Sequence, residues 1–302
     1  MLERLLGEGE ESVVRVYCQP DRPKGRGKKL APPPVKVLAE ARDLPVEQPT
    51  KLRDGAVAAQ LSEDRVDLAI VVAYGRILPP DVFEAPRLGT WNVHASLLPA
   101  LRGASPIQHA IIEGLDETGV TLMQLTEGLD EGPMLLARSL PIAPDETAGR
   151  LTERVAALGA EVLLEGLRRG RREGLRPEPQ DDARASFAPL LDKADGQLDF
   201  SRPAEALARL VRGLDPWPGT FVPTPDGPLK VFDASPVDSP APGARVGTVV
   251  ALEPLIVQTG RGGLRIGRLQ APGRKPVAAA DYLRGAGRHL AIGAPFAGAD
   301  DA

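Results

Sequence analysis

Residues 67–73, Asp-Leu-Ala-Ile-Val-Val-Ala, form a near-continuous apolar run. A strand with one wet face alternates apolar and polar side chains, so an unbroken short run belongs to a strand covered on both faces. Helices that cross over between parallel strands provide such cover. The chain supplies candidates for them at residues 1–10, 35–42, 55–62, 105–113 and 147–169. In the last of these, Leu151, Val155, Leu158 and Val162 recur at helical spacing. Further strands are predicted at 13–18, at 45–46, from Thr90, at 120–125 and at 134–142. This alternation predicts an α/β fold with a doubly wound, mostly parallel sheet through about residue 170.

Residues 171–187 are polar, contain proline and lack any period, so the boundary is placed there. The expected division is 1–175 as a first domain, 176–190 as a linker and 191–302 as a second domain. Beyond the linker, a helix is predicted at 203–213. Short strands follow at 221–222, 229–232, 247–252, 255–259 and 264–269, separated by glycine and proline turns. That pattern predicts a small β-barrel. Cys18 is the sole cysteine of the 302 residues, which excludes an intramolecular disulfide; it reads as strand filler. No apolar run reaches the ~20 residues of a membrane span, and the start, MLERLLGEGE, is too acidic for a signal peptide. A reducing cytoplasm is therefore predicted. The chain has no GxxxxGK[ST], CxxC or HExxH, so no triphosphatase loop or zinc site is predicted.

The stretch TWNVHASLLPALRGASPIQHA, residues 90–110, is where chemistry is expected. Asn92 and His94 stand two apart on a strand and so share a face. They lie at its carboxyl end, where open α/β sheets place their sites. An amide N–H can donate to an oxygen that gains charge during acyl transfer, and an imidazole passes protons near neutrality. Spacing alone leaves open a plain hydrogen-bonded histidine. Asp130, between Gly128 and Gly132, could orient an imidazole or simply be a solvated turn residue. Residues 72–79 (VAYGRILP) follow the most apolar strand. Their backbone amides could bond a flat heterocycle, or the segment could be an ordinary strand-to-helix turn.

The net charge of −4 excludes a protein that coats nucleic acid indiscriminately. Charge is nevertheless uneven. Residues 19–36 hold Arg22, Lys24, Arg26, Lys28, Lys29 and Lys36 against Asp21, in a loop whose glycines and prolines argue against regular structure. Residues 261–288 hold Arg261, Arg265, Arg268, Arg274, Lys275, Arg284 and Arg288 against Asp281. Two local basic patches on an acidic background predict one anionic partner held at defined points, with a solvated surface loop as the alternative for the first.

Taken together, N-x-H-x-S-L-L-P-x-x-R-G (Asn92 to Gly103) and G-L-D-x-G (Gly128 to Gly132) resemble the formyltransferases that use 10-formyltetrahydrofolate. The segments QPDRPKGRGKKL, PVKVLAE, VVAYGRILP, SPIQHAI, DKADGQLDFS and DPWPGTF are similar to the branch of that family acting on methionyl-tRNA. The resemblance implies a Rossmann-like catalytic domain followed by an OB-like barrel that supports tRNA. It implies Asn92, His94 and Asp130 as catalytic residues. It implies contacts to 10-formyltetrahydrofolate from Val72, Ala73, Tyr74, Gly75, Ile77, Leu78, Ser96, Leu97, Leu98 and Pro99. It implies contacts to initiator methionyl-tRNA from Arg22, Lys24, Arg26, Lys28 and Lys29, with no metal and a monomeric protein. In the family pattern a strand and a glycine-containing turn precede the helix matched by residues 1–9. The expected fold therefore lacks its first, central strand, and the native start is expected upstream of Met1. Formyl transfer to an amino-sugar nucleotide, formyl-folate hydrolysis and non-catalytic RNA binding are the alternatives.

Overall fold

The computed structural model describes residues 1–24, without the Lys24 side chain, and residues 29–296. The helices are α1 (Leu2–Glu8), α2 (Pro34–Glu40), α3 (Ala56–Glu63), α4 (Pro80–Phe83), α5 (Pro106–Glu113), α6 (Ala148–Arg172), α7 (Ala204–Gly213) and α8 (Ala279–Arg284). The first eight strands are β1 (Val16–Tyr17), β2 (Arg22–Lys24), β3 (Lys29–Ala31), β4 (Val46–Glu47), β5 (Ala69–Val71), β6 (Thr90–His94), β7 (Glu117–Gln124) and β8 (Met134–Pro141). The rest are β9 (Thr220–Val222), β10 (Leu229–Val237), β11 (Val249–Leu252), β12 (Leu255–Gln258), β13 (Gly263–Gln270) and β14 (Val277–Ala278).

The chain forms two compact units. One holds residues 1–104, 118–140 and 154–188; the other holds 105–117, 141–153 and 189–302. In the first, β1 pairs with β4 in parallel, and a separate sheet runs β5-β6-β7-β8. Within it β5 and β6 are parallel, whereas β6 and β7 are antiparallel. Among the described residues β1 and β5 are not paired, so the sheet expected as one layer is in two parts. Every residue of β6 is buried, and β7 is buried from Thr118 to Met123. Helix α6 lies closely on this sheet because three of its glycines face it. A Cβ on Gly159 would stand 3.3 Å from Val93 Cγ1, one on Gly166 2.3 Å from Leu122 Cδ2, and one on Gly170 3.3 Å from Trp91 Cη2.

The basic loop contains regular structure that its prolines and glycines argue against. Strands β2 and β3 pair antiparallel, with Arg22 opposite Ala31 and Pro23 opposite Leu30. Proline's missing N–H is tolerated at the edge of a two-stranded ribbon. At the base of this ribbon Lys36 Nζ donates to Asp21 Oδ1 (3.0 Å) and to Gln48 Oε1 (2.8 Å). The Gln48 amide donates to Asp21 Oδ1 at 2.7 Å. That amide, with Lys36 second, holds the Asp21 carboxyl below its ordinary pKa.

In the second unit the path is β11-β12-β13-β10-β9, with β14 on β13. All its described strand pairs are antiparallel. The barrel expected here is a six-stranded sheet in which β9 and β11 do not pair among the described residues. Its core is aliphatic: Leu207, Leu214, Leu255, Leu264 and Ile266 are each at most 1% exposed.

Cys18 follows β1 and is buried, and burial pushes its thiol above the ordinary value. Alkylation requires the thiolate. Folded protein at pH 7.5 is expected to take up iodoacetamide at least tenfold more slowly than protein in denaturant, read by mass spectrometry. Equal rates would show that Cys18 is reached without unfolding.

Candidate active site

Residue pairing in the sheet sets the site. Val71, the last residue of β5, is opposite Asn92 on β6, and His94 is opposite Thr121 on β7. Residues 72–78 therefore leave the sheet beside Asn92. There Ala73 (φ +45°) and Gly75 (φ +74°) turn the backbone through the left-handed region. Apolar Val72 and Ile77 are nonetheless exposed. The Gln19 amide donates to Tyr74 O at 2.9 Å, and burial pushes the Tyr74 phenol above its ordinary pKa. A cavity of 520 Å³, bordered by Gln19, Arg22, Pro33, Tyr74 and Gly75, joins this turn to the base of the basic ribbon.

After His94 the chain folds into a tight turn. Thr121 Oγ1 donates to Ser96 O (2.8 Å) and accepts from Leu98 N–H (3.1 Å). Ser96 Oγ donates to Ala100 O at 2.6 Å. Ser96, Leu98 and Pro99 are buried in that turn, and Leu97 packs against Gly119.

Two side chains of β6 meet a third from far along the sequence here. Asn92 Nδ2 donates to Asp130 Oδ1 at 3.3 Å. His94 Nδ1 lies 3.6 Å from Asp130 Oδ2, an ion-pair distance beyond ordinary hydrogen-bond reach. His94 Nε2 is 3.0 Å from Leu101 O. A carbonyl oxygen only accepts, so Nε2 carries the hydrogen and Nδ1 is the ring atom turned to Asp130. Gly103 N–H donates to Asp130 Oδ2 at 2.9 Å. All three side chains are at least four-fifths buried. A buried carboxylate, an imidazole of fixed tautomer and an amide around one point can move a proton and donate to an oxyanion.

Sequence reasoning did not find the partners that hold this group. Leu101 O and Gly103 N–H are backbone groups, invisible to residue type. Gln180, itself held by Arg102, donates to Asp130 O, and it falls in a segment with no periodicity. Arg22 and Lys29 are exposed on the basic ribbon. The expected contacts from the Lys24 side chain, Arg26 and Lys28 lie outside the described residues. No group of three or more His, Cys, Asp or Glu side chains gathers as a metal site among the described residues. None of the described helices is long and apolar enough to cross a membrane.

Comparison with known families decides the lineage. Residues 2–167 match the formyl transferase model, and residues 190–287 match the formyl transferase C-terminal domain. The chain belongs to the formyltransferase family. Its curated relatives in that family include the methionyl-tRNA formyltransferase of Geobacter metallireducens, 47% identical over 94% of this chain and 91% of the relative. That of Stenotrophomonas maltophilia is 47% identical over 93% of this chain and 92% of the relative. Among solved formyltransferase structures, an N-formyltransferase from Helicobacter canadensis, complexed with folinic acid and dTDP-3-aminofucose, aligns with a TM-score of 0.65. It is 16% identical over 89% of this chain and 94% of its own. HypX from Aquifex aeolicus in complex with tetrahydrofolic acid aligns at 0.61, with 20% identity over 91% of this chain and 48% of its own. At these identities the two structures speak for the fold.

Proposed function

We propose that this chain transfers the formyl group of 10-formyltetrahydrofolate to the α-amino group of methionine esterified to initiator tRNA, as a cytoplasmic monomer, giving formylmethionyl-tRNA for translation initiation. The meeting of Asn92, His94 and Asp130 at the end of β6 carries this reading. The folate supplies an activated formyl group when bound. The exposed apolar side chains and turned backbone of residues 72–78, beside Asn92, suit a flat heterocycle. The neighbouring turn at Ser96, Leu97, Leu98 and Pro99 would border it.

Asn92 has two amide hydrogens, and Asp130 accepts one. The other is available to the charge that develops on the formyl oxygen. His94 Nδ1 is the ring nitrogen that takes or gives a proton, and the Asp130 carboxylate steadies the ring while it is charged. Asp130 itself is held by Gly103 N–H and Asn92, so it changes little as the proton moves.

The test is incubation with formyl-labelled 10-formyltetrahydrofolate and charged initiator tRNA. Label is expected in formylmethionyl-tRNA. Formate release without acceptor, label on an amino-sugar nucleotide alone, or RNA binding without transfer would each overturn the assignment. On the basic ribbon, Arg22→Ala with Lys29→Ala is expected to weaken tRNA binding and lower the log–log salt slope by roughly 1.5, since each phosphate contact contributes about 0.7–0.9. Filter binding between 50 and 200 mM salt reads it. An unchanged slope would remove both side chains from the tRNA contact.

A further inference from the structure

The segment after α6, expected as a linker, runs along the catalytic loop. Glu178 exchanges backbone hydrogen bonds with Met134, both at 2.8 Å. Ser186 Oγ accepts from Leu101 N–H at 2.9 Å, and Ser186 O accepts from Arg102 N–H at 2.9 Å. Ala188 N–H donates back to Arg102 O at 2.8 Å.

Gln180 is the centre of this strap. Its amide nitrogen donates to Asp130 O at 2.7 Å and to Gly132 O at 2.8 Å. Its Oε1 accepts from Arg102 Nε at 3.0 Å and Nη2 at 2.8 Å. Arg102 is only 5% exposed, and its remaining charge is met by Asp182 Oδ1 at 2.7 Å. Gln180 thus uses both donors and its acceptor. The bonds close a ring: Asp130 O to Gln180, Gln180 to Arg102, and Arg102's neighbour Gly103 back to Asp130 Oδ2. Asp130 has φ +51°, a left-handed conformation that side-chain-bearing residues rarely hold unless the surroundings impose it. Residues 101, 102 and 103 in turn each hold one member: Leu101 O holds His94, Arg102 holds Gln180, and Gly103 N–H holds Asp130.

We propose that Gln180 is a positioning residue for formyl transfer: its amide clamps the Asp130 turn onto Arg102 and so sets the approach of Asp130 to His94. The proposal rests on the reaction assigned above. Gln180 touches neither His94 nor Asn92 side chains by any bond described, so it acts through Asp130.

Two variants test it. Gln180→Met removes every polar contact at nearly the same volume. Gln180→Glu keeps the acceptor for Arg102, now as a carboxylate beside the existing Arg102–Asp182 ion pair, while turning oxygen towards Asp130 O and Gly132 O. A displacement of about 1 Å at a reacting group lowers rate roughly 10²-fold. Each variant is expected to lower kcat at least tenfold with KM for both substrates within about twofold. The loss is expected to vanish in an Asp130→Asn background, where Gln180→Met adds nothing, because coupled residues are non-additive. Unchanged kcat, or a loss that recurs undiminished with Asp130→Asn, would overturn the proposal. A second readout is independent of the reaction. The chain has three histidines, His94, His109 and His289. In protein labelled with 15N-histidine, Gln180→Glu is expected to shift the His94 ring signals and leave the other two in place. Unmoved His94 signals would overturn the positioning role even if formyl transfer itself were absent.

Discussion

His94→Ala is expected to lower kcat for formyl transfer by about 10²-fold or more, and Asp130→Ala to do the same, with the protein still melting cooperatively. A 10²-fold loss corresponds to about 2.7 kcal/mol of transition-state stabilisation. The size follows from where the bonds go. His94 is buried, with Nε2 tied to Leu101 O, so Nδ1 is the ring nitrogen left facing Asp130. Removing Asp130 strips partners from Asn92 Nδ2, Gly103 N–H and the His94 ring at once. The two deletions are expected to be far from additive, since they remove parts of one unit. Single-turnover kinetics with saturating donor and charged tRNA checks this. Turnover within threefold of the parent for either variant would take that residue out of the chemistry. Asn92→Ala is expected to fall in the same range through loss of an oxyanion donor.

Leu122→Ala is expected to produce the largest loss of stability without touching the reaction. Leu122 is fully buried in β7, opposite Val93 of β6, and sits where Gly166 leaves space on α6. Emptying such a site destabilises by about 2.7–5 kcal/mol, a large share of a typical 5–15 kcal/mol. The melting midpoint should fall by roughly 10 °C at about 2–4 °C per kcal/mol. Gly166→Ala alone brings a methyl against Leu122 Cδ2 and is expected to destabilise, despite alanine's better helix propensity of about 1 kcal/mol. Combined with Leu122→Ala, the same methyl enters the vacated space and should recover part of the loss. Calorimetry of the four proteins reads the cycle. A fall under 3 °C for Leu122→Ala, or no recovery in the double variant, would show that α6 does not press on the sheet as described.

What the sequence makes legible is what period and burial dictate. The helical stripe of Leu151, Val155 and Val162 and the paired Asn92 and His94 announce themselves, because side-chain direction follows spacing along a strand or helix. The run before Val72 does form a strand, but among the described residues it stands at the end of its sheet and is only half-buried, not covered on both faces. Asp130 is legible as a turn residue between glycines, yet its partnership with residues 36–38 positions away needs the fold. The ribbon of β2 and β3 is not legible, since Pro23 and the flanking glycines read as turn formers and the pairing is made by backbone groups. The strap of residues 178–188 is hidden for the same reason. Gln180 bonds to carbonyls, and carbonyls leave no trace in residue type. The glycines of α6 read as helix weaknesses until the sheet they face is known.

The strap has a consequence for how the protein is made. Leu101, Arg102 and the Asp130 turn emerge from the ribosome some 50 to 85 residues before Gln180 and Ser186, which hold them in place. At about 5–20 residues per second that interval lasts several seconds. A nascent chain halted short of residue 180 carries Asn92, His94 and Asp130 with their mutual bonds but without the Gln180 and Ser186 bonds that tie the Asp130 turn to the loop at 101–102.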